Sequence, residues 1–125
     1  MSAHYSEAGA FVHDYASHKP KLLDSEKRES LDRKERQFWE DTFDRATPGD
    51  WRGILYVLKR KLEYDMGFMR GFADHAGREH DADRMQMCCN LIDRATADIN
   101  PDDRARKMLS LLFKILEQDI TNWSD

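Results

Sequence analysis

Three stretches of this chain repeat apolar side chains at the i, i+3, i+4, i+7 spacing of a single helix face, and only a few residues separate one from the next. In the first, Leu55, Leu58, Leu62, Met66 or Asp65, Met69 and Phe72 or Ala73 fall on one stripe. The second carries Ala82, Met85, Cys88, Leu91, Ile92 and Ala95, and the third Met108, Leu109, Leu111, Leu112, Ile115, Leu116 and Ile120. A strand alternates with period two, so this pattern excludes a sheet. Connectors this short force neighbouring helices to run antiparallel. Composition agrees: the only valines are Val12 and Val57, with six Gly and three Pro in 125 residues. The expected fold is all-α, one small helical bundle with three long core helices at about 51–76, 79–97 and 100–123.

Local signals set the expected ends. Asp50 is placed to cap the helix that opens at Trp51, and Gly77 to close it as a left-handed glycine. Asn100 as cap, Pro101 at the first helical position and acidic Asp102 and Asp103 start the last helix. Upstream, a helix opening at Asp24 or Ser25 runs to about Arg45, before the Thr47-Pro48-Gly49 turn. Its apolar face is thin, consisting of Leu31, Phe38, Trp39, Thr42, Phe43 and Ala46. The span Glu26 to Arg36 is almost wholly charged. Before it, Tyr5, Ala8, Phe11, Val12 and Tyr15 form a short helical pattern that stops at His18-Lys19-Pro20. The expected organisation is therefore one domain over 1–125, with a docking arm at 1–23, a charged helix at 24–46 and a helical core at 51–125. Leu55, Leu58, Leu62, Glu63 and Asp65 match Leu109, Leu112, Leu116, Glu117 and Asp119 in register, a weak internal repeat that predicts similar faces on those two helices.

Net charge is −4, from 24 acidic and 20 basic residues interspersed along the chain. No clustered basic excess marks a nucleic-acid binder, and Lys59, Arg60 and Lys61 fan over about 200° of helix instead of forming one stripe. Cys88 and Cys89 are adjacent and are the only cysteines, so no ordinary loop-closing disulfide is available and a reducing compartment is expected. Cys88 sits on the apolar stripe as an inert thiol, whereas Cys89, about 100° further round the helix, is expected to be more exposed. The first ten residues lack the basic and apolar regions of a signal peptide, and no stretch reaches the length of a membrane span. The expectation is a cytoplasmic protein with no membrane partner.

No motif indicates a cofactor or a catalytic constellation. The richest ligand set is the hairpin tip, where Asp74, His75, Glu79, His80, Asp81 and Asp83 crowd together. Of these, His75, His80, Asp81 and Asp83 are the metal candidates, although five-residue spacing across Gly77 does not set both imidazoles on one face. His80-Asp81 also fits the His-Asp pair of a helical phosphohydrolase, with His13 or His18 and Asp119 as further ligands. Glu26, Glu29, Asp41 and Asp44 resemble the ExxE-type magnesium site of all-α pyrophosphatases, but Lys27, Arg28, Arg33 and Lys34 interleave with them as in an ordinary salt-bridged surface. Trp39, Phe43, Trp51 and Trp123 lie near helix ends that a small bundle cannot cover completely. With Glu35 and Glu40 of the charged helix they form the expected partner-binding set.

The segment from Trp51 to Asp125 resembles a group of small bacteriophage-encoded proteins. The resemblance is carried by LYVLKRKLEYDM (55–66), RMQMCCNLIDRATAD (84–98) and LLFKILEQDITNWSD (111–125). It departs at the end, where Trp123-Ser124-Asp125 stands in place of Trp-Trp-Asp, and in a shorter connector between the last two helices. The resemblance implies a phage-type accessory protein in a bacterial host cell but no activity. The expected function is non-catalytic: binding a host or phage protein, for instance as a stoichiometric inhibitor of a bacterial antiviral defence component. A metal-dependent nucleotide or phosphoester hydrolase and a structural homo-oligomer are the alternatives.

Overall fold

The computed structural model describes residues 25–71, 76–97 and 101–123. The arm at 1–23, with His13 and His18, lies outside the described residues, as do Phe72, Ala73, Asp74 and His75 and the side chain of Leu31. Among the described residues four α-helices follow one another: α1 Ser25–Arg45, α2 Trp51–Gly71, α3 Arg78–Ala95 and α4 Asp103–Asp119, with a 3-10 turn at Ile120–Asn122. The all-α bundle is as expected. No described helix is long and apolar enough to cross a membrane.

The α1–α2 turn forms as its residues dictate. Pro48 and Gly49 occupy its centre, Gly49 takes φ +75°, and the Asp50 amide donates to the Thr47 carbonyl at 3.4 Å, a type II arrangement that needs glycine at its third residue. Asp50 caps α2 through Oδ1, which accepts from the Arg52 amide at 2.9 Å. Gly53 is required one turn later, because a Cβ there would lie 2.5 Å from the Thr47 carbonyl oxygen.

Two other helix ends differ from expectation. Gly77 is not a left-handed cap of α2: its φ is −87°, and its carbonyl accepts from the Asp81 amide at 2.9 Å, so it opens α3 instead. The cap of α4 is Asp102, not Asn100. Asp102 takes an extended backbone and accepts from the Ala105 amide at 2.7 Å, which places Pro101 outside the helix. Asp caps as well as Asn, and Asp102 is the residue that meets the amide three residues on.

The helices pack as a row. Antiparallel α2 and α3 are tied by Lys59–Asp93 at one end and Arg70–Asp83 at the other, at 2.6 and 3.0 Å. Antiparallel α3 and α4 are tied by the Arg84–Asp119 ion pair. Leu55, Leu62, Met66 and Met69 of α2 meet Ala82, Met85, Cys88, Cys89 and Ile92 of α3 and Leu112 and Ile115 of α4 in one apolar core. Because α3 lies between α2 and α4, it buries a broad arc that takes in Cys89. That thiol is 2% exposed and contacts the Lys59 carbonyl, so the expectation of a more exposed second cysteine is overturned.

The predicted likeness of the two repeat helices also fails. Leu55 and Leu62 are buried while their matches Leu109 and Leu116 are half-buried, and Leu58 is half-buried while Leu112 is wholly buried. Leu111 and Ile120, placed on the core stripe by spacing, are about half exposed along with Phe113. One helix face about 100° wide is all that α3 covers, so the edges of the α4 stripe are left open.

Candidate protein-binding site

The face of α2 opposite the core is polar in sequence yet covered in the fold. Arg60 and Tyr64 lie there, about 160° from Leu62 at 100° per residue, with Gly53 and Gly67 on the same side. Helix α1 docks onto this face. The Arg60 guanidinium stacks on the Phe38 ring at 3.8 Å, and its Nε donates to the Thr42 hydroxyl at 3.1 Å. Thr42 in turn donates to the Phe38 carbonyl at 2.7 Å, so a wholly buried hydroxyl has both its donor and an acceptor position filled. The Tyr64 hydroxyl donates to the Glu35 carboxylate, and Phe38, Trp39 and Tyr64 pack with ring centroids 4.9–6.2 Å apart.

Docking on Phe38 and Thr42 turns the rest of α1 outward. Arg36, Trp39, Glu40, Phe43 and Asp44 line an open groove of about 560 Å³. Phe43 is 63% exposed, while Trp39, four residues earlier, is fixed edge-on against Phe38. Arg36, Glu40 and Asp44 recur every fourth residue beside them, so the apolar centre is bordered by one cation and two carboxylates. An exposed ring beside a rigid one, with a charged rim, makes this groove the candidate protein-binding surface.

The expected partner-binding residues therefore divide. Trp39, Glu40 and Phe43 come together in this groove. Glu35 is engaged by Tyr64 and holds α1 in place. Trp51 and Trp123 are half-buried and pack against the main core, closing its ends. The Trp123 indole N–H is buried without a hydrogen-bond partner among the described residues. Arg60 and Tyr64 position the groove, and the only sequence signal for them is a four-residue spacing that matches Phe38 and Thr42.

The hairpin-tip residues are not assembled for metal chemistry in the described part. His80 and Asp83 are exposed, Asp81 is buried, and His75 lies outside the described residues. Arg70 takes up Asp83 at 3.0 Å and approaches Glu79 at 4.0 Å. Among the described residues no group of three or more His, Cys, Asp or Glu side chains could hold a metal ion. Asp119, the proposed distant ligand to His80-Asp81, pairs with Arg84. Asp41 accepts from Gln37 at 2.8 Å.

Burial raises the Cys88 thiol to a pKa of about 11 and the Cys89 thiol to about 12, so neither is a nucleophile near neutrality. No protein-family model matches the chain, and neither a curated protein nor a solved structure matches it closely enough to count.

Proposed function

We propose that the protein acts by binding another protein through the outer face of α1, as a stoichiometric blocker and not as a catalyst. The observation that carries this reading is Phe43, a large aromatic side chain 63% exposed at the centre of a groove with a rigid aromatic wall. The rim gives the partner its chemistry. Glu40 and Asp44 outnumber Arg36, so the complementary segment presents an apolar anchor flanked by Lys or Arg. The resemblance of residues 51–125 to phage-encoded proteins directs the reading to a bacterial host protein, such as a component of antiviral defence.

Co-expression with candidate defence complexes tests this. The wild-type chain is expected to co-purify with one of them at fixed stoichiometry, and Phe43→Glu to lose the complex while keeping its helical content and melting temperature. Failure of every complex to bind, or equal binding by Phe43→Glu, counts against the proposal. A second reading, self-association, is favoured by α4, where half-exposed Phe113 and Ile120 stand seven residues apart on one flank. Light scattering separates the two: a strict monomer removes self-association and leaves the α1 reading intact.

A further inference from the structure

The apolar residues that α4 leaves open are not scattered. Leu109, Phe113, Leu116 and Ile120 follow one another at spacings of four, three and four, which places them in one seam down a flank of the helix. Phe113 and Ile120 are more than half exposed, and Leu109 and Leu116 are only partly buried against the core. The seam lies about 100° round the helix from the face of Leu112 and Ile115 that meets α3, and it is about 16 Å long at 1.5 Å per residue.

The arm of the same chain carries a matching stripe. Tyr5, Ala8, Phe11, Val12 and Tyr15, outside the described residues, fall within about 120° of a helix and span about 15 Å. The topology brings this stripe within reach. Glu35 meets Tyr64 and Thr42 meets Arg60, so α1 runs antiparallel to α2, as α2 does to α3 and α3 to α4. Three reversals put the start of α1 at the end of the bundle where α4 finishes. Residues 16–24 extend over about 30 Å, enough for the three interhelix spacings of about 9 Å that separate α1 from α4.

Charge selects this flank over the α1 groove. On α4, exposed Arg104, Arg106, Lys107 and Lys114 stand against exposed Asp103 and Glu117, because Asp119 is taken up by Arg84. None of the four cations is held in an ion pair among the described residues. Residues 1–15 carry Glu7 and Asp14 and no Lys or Arg. The groove, with Glu40 and Asp44 against Arg36, disfavours such a segment, and the surface of α4 attracts it.

We propose that residues 5–15 fold as a short helix on the seam of Leu109, Phe113, Leu116 and Ile120, strapping the arm to α4 of its own chain. Tethering gives the arm an effective concentration of about millimolar at the seam, so it takes that face ahead of a second copy of the chain. The strap is separate from the α1 groove, and neither depends on the other.

The test places a nitroxide on Ala10→Cys, on the side of the arm away from its apolar stripe, in the isotope-labelled full chain. Near neutrality the reagent leaves buried Cys88 and Cys89 unmodified. Paramagnetic broadening is expected at the amides of 109–120 and not at those of 36–44, unchanged on dilution. Val12→Glu on the arm and Phe113→Glu on α4 are each expected to abolish it, while Leu111→Glu, on the opposite flank of α4, retains it. No broadening at 109–120, broadening centred on 36–44, or a loss with Leu111→Glu as complete as with Phe113→Glu overturns the strap. So does broadening seen only when nitroxide-bearing and isotope-labelled chains are mixed as separate molecules, which makes a second copy the occupant.

Discussion

The two faces of α2 are held by different chemistry. Toward α3 and α4 it presents Leu55, Leu62, Met66 and Met69 to a contiguous aliphatic and sulfur-rich core. Toward α1 it presents Arg60 and Tyr64 to one buried phenylalanine and one buried threonine, joined by a cation–π contact and a chain of hydrogen bonds. Apolar burial scales with area and has little directionality, whereas a stacked guanidinium and a doubly bonded hydroxyl demand one geometry. The core therefore supplies most of the stability, and the α1 interface sets the position of the outward groove.

Substitutions can break that division in order of effect. Leu112→Ala, at a wholly buried position, is expected to lower global stability by about 2–5 kcal/mol in a denaturant melt. Gly53→Ala comes next. In an open helix this change would add about 1 kcal/mol of stability, but here the Cβ meets a backbone oxygen at 2.5 Å, so a loss of about 1–3 kcal/mol is expected. Thr42→Val removes the hydroxyl shared by Phe38 and Arg60, with an expected cost of about 1–2 kcal/mol. Its signature is local: amide exchange in α1 should quicken while that of α3 is unchanged, and equal quickening in both helices would show that the interfaces are one cooperative unit.

An effect of pH is absent near neutrality and enters only in alkali. Both thiols titrate higher in the fold than their ordinary value of 9.0, so the unfolded chain loses those protons first. Their contribution is fully present below pH 9 and is lost as pH rises through about 11 and 12. Urea midpoints should be flat from pH 7 to 8.5 and fall above 9, and at pH 8 a thiol reagent should label the cysteines only after unfolding. Prompt labelling of the native chain would contradict the burial of Cys89.

The six apolar positions that helical spacing assigns to α3 are all buried or half-buried, because a helix packed on two sides repeats its buried residues with the helical period. The α1 interface was not legible in the same way. Arg60 and Tyr64 look like solvated surface in any local window, and their burial arises from partners 18 and 29 residues away, which no periodicity encodes. Helix ends failed where two residues were chemically equivalent, as with Asn100 and Asp102. In the groove, Trp39, Glu40 and Phe43 could be found from aromatic and acidic surplus on a thin-faced helix, whereas Glu35, of the same character, is turned inward by a phenol that the local sequence does not reveal.

The central claim is that the outward face of α1, held by Arg60 and Tyr64, is the working surface. Its most direct test is a phage-plating assay across bacterial strains that carry defence systems, in which the proposed function predicts suppression of one system by the wild-type chain, comparing Phe43→Glu with Phe113→Glu, a charge placed on the half-exposed flank of α4. Loss of suppression with Phe43→Glu and its retention with Phe113→Glu is the predicted result. Full suppression by Phe43→Glu, with Phe113→Glu inactive, would contradict the account and move the working surface to α4.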